Sequence, residues 1–397
     1  MKVREVQKVD KVVVVVATSD KNNVRWGILL AGFLGFCVPL MAAVLPEDRA
    51  DALYHSYSGG GVTINGPSLL ARKSIGEKVS IWGNYYVDSI TSASIDVVTS
   101  ASQYTEERTE KGFGVDYLQD SATLSLAYTN SVENDFVANS AHFTVSQDMF
   151  GDLTTVSLGY SRGWDVVTAT GNPGFEEEAK RQQFRLGVSQ ILTKNLLMDL
   201  SFETITDEGY LNNPYRSVRY LVNPTTYASE GEQYPNTRTS HAVALRGIYY
   251  LPYRAAIKAE YRLFTDTWGI QANMSELGYT HPLKNDFVLD FTYRFYTQTR
   301  SDFYSDLFPS QQSQNYLARD KELSTFTSQT LGAAVSYEFA KRGWKIIDKG
   351  SANLSYSYIM FDYKDFRDLR AQGYTPGTEP LYSFSANVLQ LYVSVWY

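Results

Sequence analysis

From about Gly60 to its last residue the chain alternates apolar and polar side chains with a period of two. Phe287, Leu289, Phe291, Tyr293 and Phe295 are interleaved with Val288, Asp290, Thr292, Arg294 and Tyr296. In an extended chain successive side chains point to opposite faces, so the first set shares one face of a strand and the second set the other. The same pattern holds for Leu196, Met198, Leu200 and Phe202, for Ala255 to Leu263, and for Phe113, Val115 and Tyr117. Leu331 to Phe339 repeat it, as do Leu354, Tyr356, Tyr358 and Met360. An all-β chain is expected. A polytopic helical membrane protein is excluded, because it needs several apolar runs of about 20 residues.

The connections alternate as well. Short ones carry turn formers: Gly151-Asp152, Thr193-Lys194-Asn195, Leu251-Pro252-Tyr253, and Pro282 to Asn285. Long polar ones fall at about Asp88 to Thr105, Asp165 to Glu177, Asp207 to Asn236 and Thr299 to Glu322. Sorting of short turns to one end and long loops to the other is the mark of an up-and-down antiparallel transmembrane β-barrel, with periplasmic turns and extracellular loops. In lipid every backbone N–H and C=O needs a partner, so a spanning sheet has to close. Counting back from Tyr397 gives about fourteen strands from Lys78 onward, within the even-numbered range of such barrels. The hairpin Pro67–Val87 adds one strand. Asp51–Ser58 then either pairs as a further strand, for sixteen, or belongs to a segment inside or beneath the barrel.

Ahead of the barrel, Lys2, Arg4, Lys8, Lys11, Lys21 and Arg25 precede an apolar run from Trp26 to Leu45. Basic residues, an apolar stretch and then small residues (Ala42, Ala43) describe a secretory signal, although the run is long enough for an anchor. The expected organisation is a signal peptide over residues 1–43, an N-terminal periplasmic or lumenal segment over 44–66, and a barrel over 67–397. The one cysteine, Cys37, lies in the signal, so no disulfide framework is expected. Tyr 30 against Phe 20 and Trp 6 suits a protein with much membrane interface. A formal charge of -7 argues against a nucleic-acid partner.

The polar strand phase supplies the candidate lumen residues: Arg108, Glu110, Asp116, Arg181, Arg185, Asp199, Glu203, Arg246, Lys258, Glu260, Arg262, Asp290, Arg294 and Glu338. Both signs appear, which argues against a strongly ion-selective channel. The last strand alternates Leu389, Leu391, Val393, Val395 and Tyr397 and stops on an aromatic residue, a pattern that resembles the signal read by the bacterial barrel-assembly machinery. The four histidines, His55, His142, His241 and His281, have no metal-ligand spacing, and neither metal nor cofactor is expected. Gly159-Tyr160-Ser161-Arg162-Gly163 matches G-x-S-x-G but lies in a strand, without the turn and helix that give the motif its meaning. Gly59-Gly60-Gly61 reads as a turn. Aromatic and amide residues of the long loops, such as Tyr210, Asn212, Tyr304 and Phe308, suit a ligand site or a lid over the mouth.

Several strings together carry a family resemblance. They are Leu45-Pro46-Glu47-Asp48-Arg49-Ala50, Tyr54-His55-Ser56-Tyr57, Asp152-Leu153 through Gly163-Trp164-Asp165, Asp207 through Arg216, and Asp302 through Pro309. The chain resembles a family of bacterial outer-membrane barrels known as a domain of unknown function. Its members are often encoded beside a small lipoprotein, a thioredoxin-like protein and a flavin transferase. The resemblance implies the outer membrane of a Gram-negative bacterium and a role beside a lipoprotein or periplasmic redox partner; it carries no catalytic residue. The expected function is therefore a non-enzymatic pore or scaffold in contact with outer-membrane lipid. The alternatives are a barrel enzyme acting on lipid, through Ser161 with His142 or His241, and a soluble secreted β-protein.

Overall fold

The computed structural model describes residues 44–92, 104–284, 286–341 and 343–397. The expected signal peptide, with Cys37, lies outside the described residues.

The alternating segments are strands. The first nine are β1 (Arg49–Gly59), β2 (Val62–Ile75), β3 (Val79–Ser92), β4 (Tyr104–Gln119), β5 (Ala122–Val132), β6 (Phe136–Met149), β7 (Thr154–Thr168), β8 (Glu176–Thr193) and β9 (Leu196–Gly209). A short hairpin, β10 (Ser217–Asn223) and β11 (Thr226–Gly231), interrupts the series. The rest are β12 (Thr237–Tyr250), β13 (Ala256–Asp266), β14 (Gln271–Pro282), β15 (Phe287–Gln298), β16 (Phe326–Phe339), β17 (Lys349–Arg367) and β18 (Leu381–Trp396). Each wall strand pairs antiparallel with its neighbours. β1 pairs with both β2 and β18, which closes a barrel of 16 strands and leaves β10 and β11 as a separate two-stranded sheet. Closure removes every edge of the wall, as a bilayer demands.

The fourteen strands expected from Lys78 onward are β3–β9 and β12–β18; β1 and β2 complete the sixteen. This corrects the expected domain boundary. Residues 49–66 are wall, not a separate periplasmic or lumenal segment, because Arg49 to Gly59 pair in unbroken register with Trp396 to Ala386. The alternation failed to mark β1 because its polarity is partly inverted. Ser56 and Ser58 face outward, while Leu53 points inward and Tyr57 is buried inside against Ile64, Ile90, Ile359 and Val388.

The outer face is apolar and exposed: Leu126, Leu158, Phe184, Phe291, Leu331 and Leu391 all stand open at mid-wall. A belt of this kind is what an outer-membrane-type barrel turns toward acyl chains. At the end where Arg49 meets Trp396, connections are short. Asp120-Ser121 joins β4 to β5 with Asp120 at φ 54, and Phe150 to Leu153 joins β6 to β7. The long connections 210–236, 299–325 and 368–380 lie together at the other end. The Gly60-Gly61 turn between β1 and β2 is a tight hairpin whose two glycines have φ 58 and 83, a geometry glycine adopts without strain.

Candidate functional site

Residues opposite each other in the register share a face, so the inner wall can be followed strand by strand. Arg246 lies opposite both Asp199 and Glu260, Glu260 lies opposite Glu276, and Glu276 lies opposite Arg294. Most of the expected lumen residues find partners there. Arg246 pairs with Glu260 at 2.7 Å, Lys258 with Asp290 at 3.0 Å, Arg262 with Glu203 at 2.8 Å and Arg181 with Asp207 at 2.7 Å. Arg108 reaches Glu110 at 3.3 Å, Arg294 reaches Glu276 at 2.6 Å, and Asp116 pairs with Arg72. Asp199 accepts from Ser189 at 2.6 Å, Arg185 stands opposite Glu203, and Glu338 meets Lys341 at 2.7 Å near the short-turn end. The triple Lys258, Glu260 and Arg262 is thus split among three separate ion pairs. Among the described residues, no group of three or more His, Cys, Asp or Glu is placed to hold a metal ion.

Sequence reasoning passed over Arg72 and Glu276, although both sit on the polar phase of their strands. It also passed over a buried cluster in the loop-end half. There His55 Nε2 lies 2.6 Å from Asp88 Oδ1 and 3.1 Å from the Tyr86 hydroxyl, and the imidazole stacks on the Tyr86 ring. Nearby, burial pushes the Glu133 carboxyl, in the turn between β5 and β6, up to about 8, against the opposing pull of Arg108.

The long loops form a packed body across the mouth. Arg219 on β10 is fully buried. Its guanidinium holds Glu379 at 2.5 and 3.1 Å, donates Nε to the Asp306 carbonyl at 2.9 Å and also pairs with the Asp306 carboxylate. Arg319 takes the other Asp306 oxygen at 2.9 Å. One arginine therefore ties 210–236, 299–325 and 368–380 together. Arg216 pairs with Asp320 at 2.5 Å, and Glu232 accepts from the Arg319 amide at 2.7 Å and the Tyr234 hydroxyl at 2.6 Å. Burial raises Glu232 to about 7, with Arg216 opposing. Beneath lie Trp268, Phe303, Tyr304, Leu323, Tyr363, Phe366 and Tyr382, a buried, largely aromatic cluster shared by loops and strand ends. Tyr215 reaches along the rim to the β5–β6 turn, donating to Asp135 at 2.7 Å, and Gln298 of β15 donates to the carbonyls of Glu322 and Ser324 at 2.7 and 2.9 Å. Of the two roles open to these loops, the lid is the one their packing serves. Tyr304 and Phe308 are core residues of it, 4% and 2% exposed.

The structure also brings Ser161 and His142 together. Ser161 Oγ is 2.8 Å from His142 Nδ1, on the inner face of β7 and β6. His241 is elsewhere, bonded to Thr204 at 3.1 Å. At the chain end, Leu389, Leu391, Val393 and Val395 face outward on β18, and the Tyr397 hydroxyl donates to the Arg72 carbonyl at 3.1 Å.

A family model described as "Protein of unknown function (DUF3570)" matches residues 98–356. No curated protein matches the chain. Among solved structures, the chain is similar to a bacterial polysaccharide outer membrane secretin, at 8% identity and a TM-score of 0.47 over 89% of this chain and 99% of that one. It is similar to the CymD monoaromatic hydrocarbon channel at 9% identity and a TM-score of 0.44, over 91% of each chain. OmpT of Vibrio cholerae matches at 10% identity and a TM-score of 0.42, over 89% of this chain and 100% of that one.

Proposed function

Since the chain belongs to the DUF3570 family, whose description assigns no activity, we propose on its geometry that it is an outer-membrane barrel closed on the outside and open toward the periplasm, a receptacle for a periplasmic or lipoprotein partner. The observation that carries this is the asymmetry of its two ends. The mouth with the long loops is capped by a body whose ion pairs are buried, while the connections at the other end are mostly short turns. Buried charges that join the three loops keep the cap in one piece, because each loses its partner if the loops part, and Gln298 and Tyr215 tie that piece to the rim. A free diffusion pore has no use for such a cap. A scaffold whose lumen is reached from one side does. The paired, mixed-sign wall presents polar groups without a net field, which suits a docked polypeptide better than selective ion flow. A link to redox proteins rests on the family resemblance alone.

The lipid-hydrolase alternative is not favoured by placement. Ser161 and His142 face the lumen, whereas Leu158 and the other exposed apolar residues of the same strands meet the bilayer.

Sidedness of access is the test. The only native cysteine is Cys37, so a single introduced cysteine reports cleanly. Lys258→Cys is expected to react with a small polar maleimide supplied from the periplasmic side of envelope preparations and to resist it on intact cells. The purified barrel should be silent in planar bilayers. Labelling from outside on intact cells, or steady open-channel current, would overturn the reading.

A further inference from the structure

The Ser161–His142 contact is one that neither a receptacle nor an ion-paired wall requires. Ser161 Oγ lies 2.8 Å from His142 Nδ1. The other ring nitrogen, Nε2, lies 3.0 Å from Ser140 Oγ, and that hydroxyl lies 2.6 Å from Thr129 Oγ1. Assigning the ring proton to Nε2, donated to Ser140, leaves Nδ1 as an acceptor aimed at the Ser161 hydroxyl. The pair thus has the elements of an activated nucleophile: a hydroxyl, a base within hydrogen-bond reach, and a third group that orients the base. Both side chains are only partly buried, so lumen water reaches them.

The glycines of G-x-S-x-G acquire a meaning on a strand that they lack in sequence. Gly159 and Gly163 lie two residues either side of Ser161 and share its face. A Cβ at Gly159 would come within 3.7 Å of Arg185 Cβ, and one at Gly163 within 3.5 Å of Arg181 Cβ. Their absence leaves the Ser161 hydroxyl in a cleared strip of wall with Gln183 directly opposite and an arginine flanking Gln183 two positions away on each side. Backbone amides here belong to the ladder, so charge developing on a substrate oxygen has to be met by side chains; Gln183 donates to Glu203 and Arg181 holds Asp207, so either has to turn from that partner to serve.

We propose that Ser161 and His142 are a nucleophile and general base acting on small water-soluble carboxylic esters that enter the lumen from the short-turn end. His142 Nδ1 takes the Oγ proton as Ser161 bonds to the ester carbonyl carbon. The carbonyl–alkoxy bond breaks and the alcohol leaves with that proton. Water then attacks the acyl-serine, its proton passing to His142 and on to Ser161, and the carboxylic acid departs. Nothing in this depends on whether the outer mouth is sealed.

The probe is an alkyl fluorophosphonate on the folded barrel in detergent. Attack by Ser161 forms an O–P bond and expels fluoride, with the hydroxyl proton passing to His142. One adduct per chain is expected, mapped to Ser161 by peptide mass. Ser161→Ala should abolish it. His142→Gln should slow it by about 100-fold, the usual share of a positioned base. Ser140→Ala, which keeps base and nucleophile but frees the ring, should slow it several-fold and serves as the second variant if His142→Gln does not fold. Ser157, on the same face, is the internal standard and should stay unmodified. Hydrolysis of p-nitrophenyl acetate should follow the same order. No adduct on folded protein, adducts spread over several lumen serines, or a His142→Gln or Ser140→Ala barrel that reacts at the wild-type rate would each overturn the assignment.

Discussion

His55 and Asp88 are bonded at 2.6 Å although they sit on β1 and β3, with the whole of β2 between them. The residue of β2 opposite His55 is Gly66. With no side chain there, imidazole and carboxylate meet across the strand. The approach is so close that a Cβ on Gly66 would lie 1.6 Å from the Val87 carbonyl oxygen.

Gly66→Ala should therefore push β2 away from β3 and part His55 from Asp88. Overpacking of this kind costs about 1–3 kcal/mol, and the upper end is expected because the clash is with backbone. Urea unfolding of the barrel from lipid vesicles measures it. An unchanged midpoint would show that the two strands can separate freely.

Arg219→Ala removes the guanidinium that holds Glu379 and Asp306 and leaves two carboxylates buried. Loss of one partner of a buried ion pair costs about 3–5 kcal/mol. Asp306 keeps Arg319 and the Arg367 amide at the end of β17, so the loss should fall on the loops rather than on the wall. Rapid proteolytic cutting within 210–236 and 368–380, with normal heat-modifiable migration of the barrel, is the expected result.

The cap should respond to pH through Glu232. Burial raises its carboxyl from an ordinary 4.5 to about 7. The folded cap then binds a proton that the unfolded cap has already released. Its contribution is fully present below about 4.5, declines as pH rises and is gone above about 7. Protease resistance of the loops should fall between pH 5 and pH 7.5, and Glu232→Gln should flatten that dependence. The facing groups Arg216, Asp320 and Tyr234 are left in place by this variant.

Two ion pairs of the same kind should behave differently because of their surroundings. Arg238 pairs with Asp266 at 2.7 Å where the Asp266 side chain is fully buried. Arg238→Ala should cost about 3 kcal/mol. Lys258 pairs with Asp290 on the water-lined wall, and Asp290 keeps a 2.6 Å bond from Thr280 when the lysine goes. Lys258→Met should cost about 1 kcal/mol or less. Equal costs would mean the two halves of the lumen are equally dry.

Removal of Trp396 and Tyr397 should lower the amount of assembled barrel several-fold while leaving synthesis unaffected. β18 is the strand that pairs with β1 to close the wall, and Tyr397 bonds back to Arg72. The heat-modifiable fraction in outer-membrane preparations measures assembly. Full recovery of that fraction would remove the terminal strand from the assembly signal.

Much of the wall was legible because a membrane barrel writes its geometry into local order. Strand phase alone placed Lys258, Glu260, Asp290 and Arg294 on one face and Phe291, Tyr293 and Phe295 on the other, since side-chain direction in a strand depends only on parity. It left β1 undecided, because Leu53 and Tyr57 face the interior and Ser56 and Ser58 face outward, so that parity and polarity no longer agree.

The sequence by itself determined a closed, two-ended antiparallel barrel, because period-two polarity and sorted loop lengths are properties of neighbouring residues. Tertiary structure alone decided what fills and caps it. Arg219 meets Glu379 across 160 residues and His55 meets Asp88 across 33. Ser161 finds His142 through the pairing of β6 and β7. None of these contacts has a period. Each exists because closure brings distant strands and loops to one place, and no local pattern records which residues will meet there.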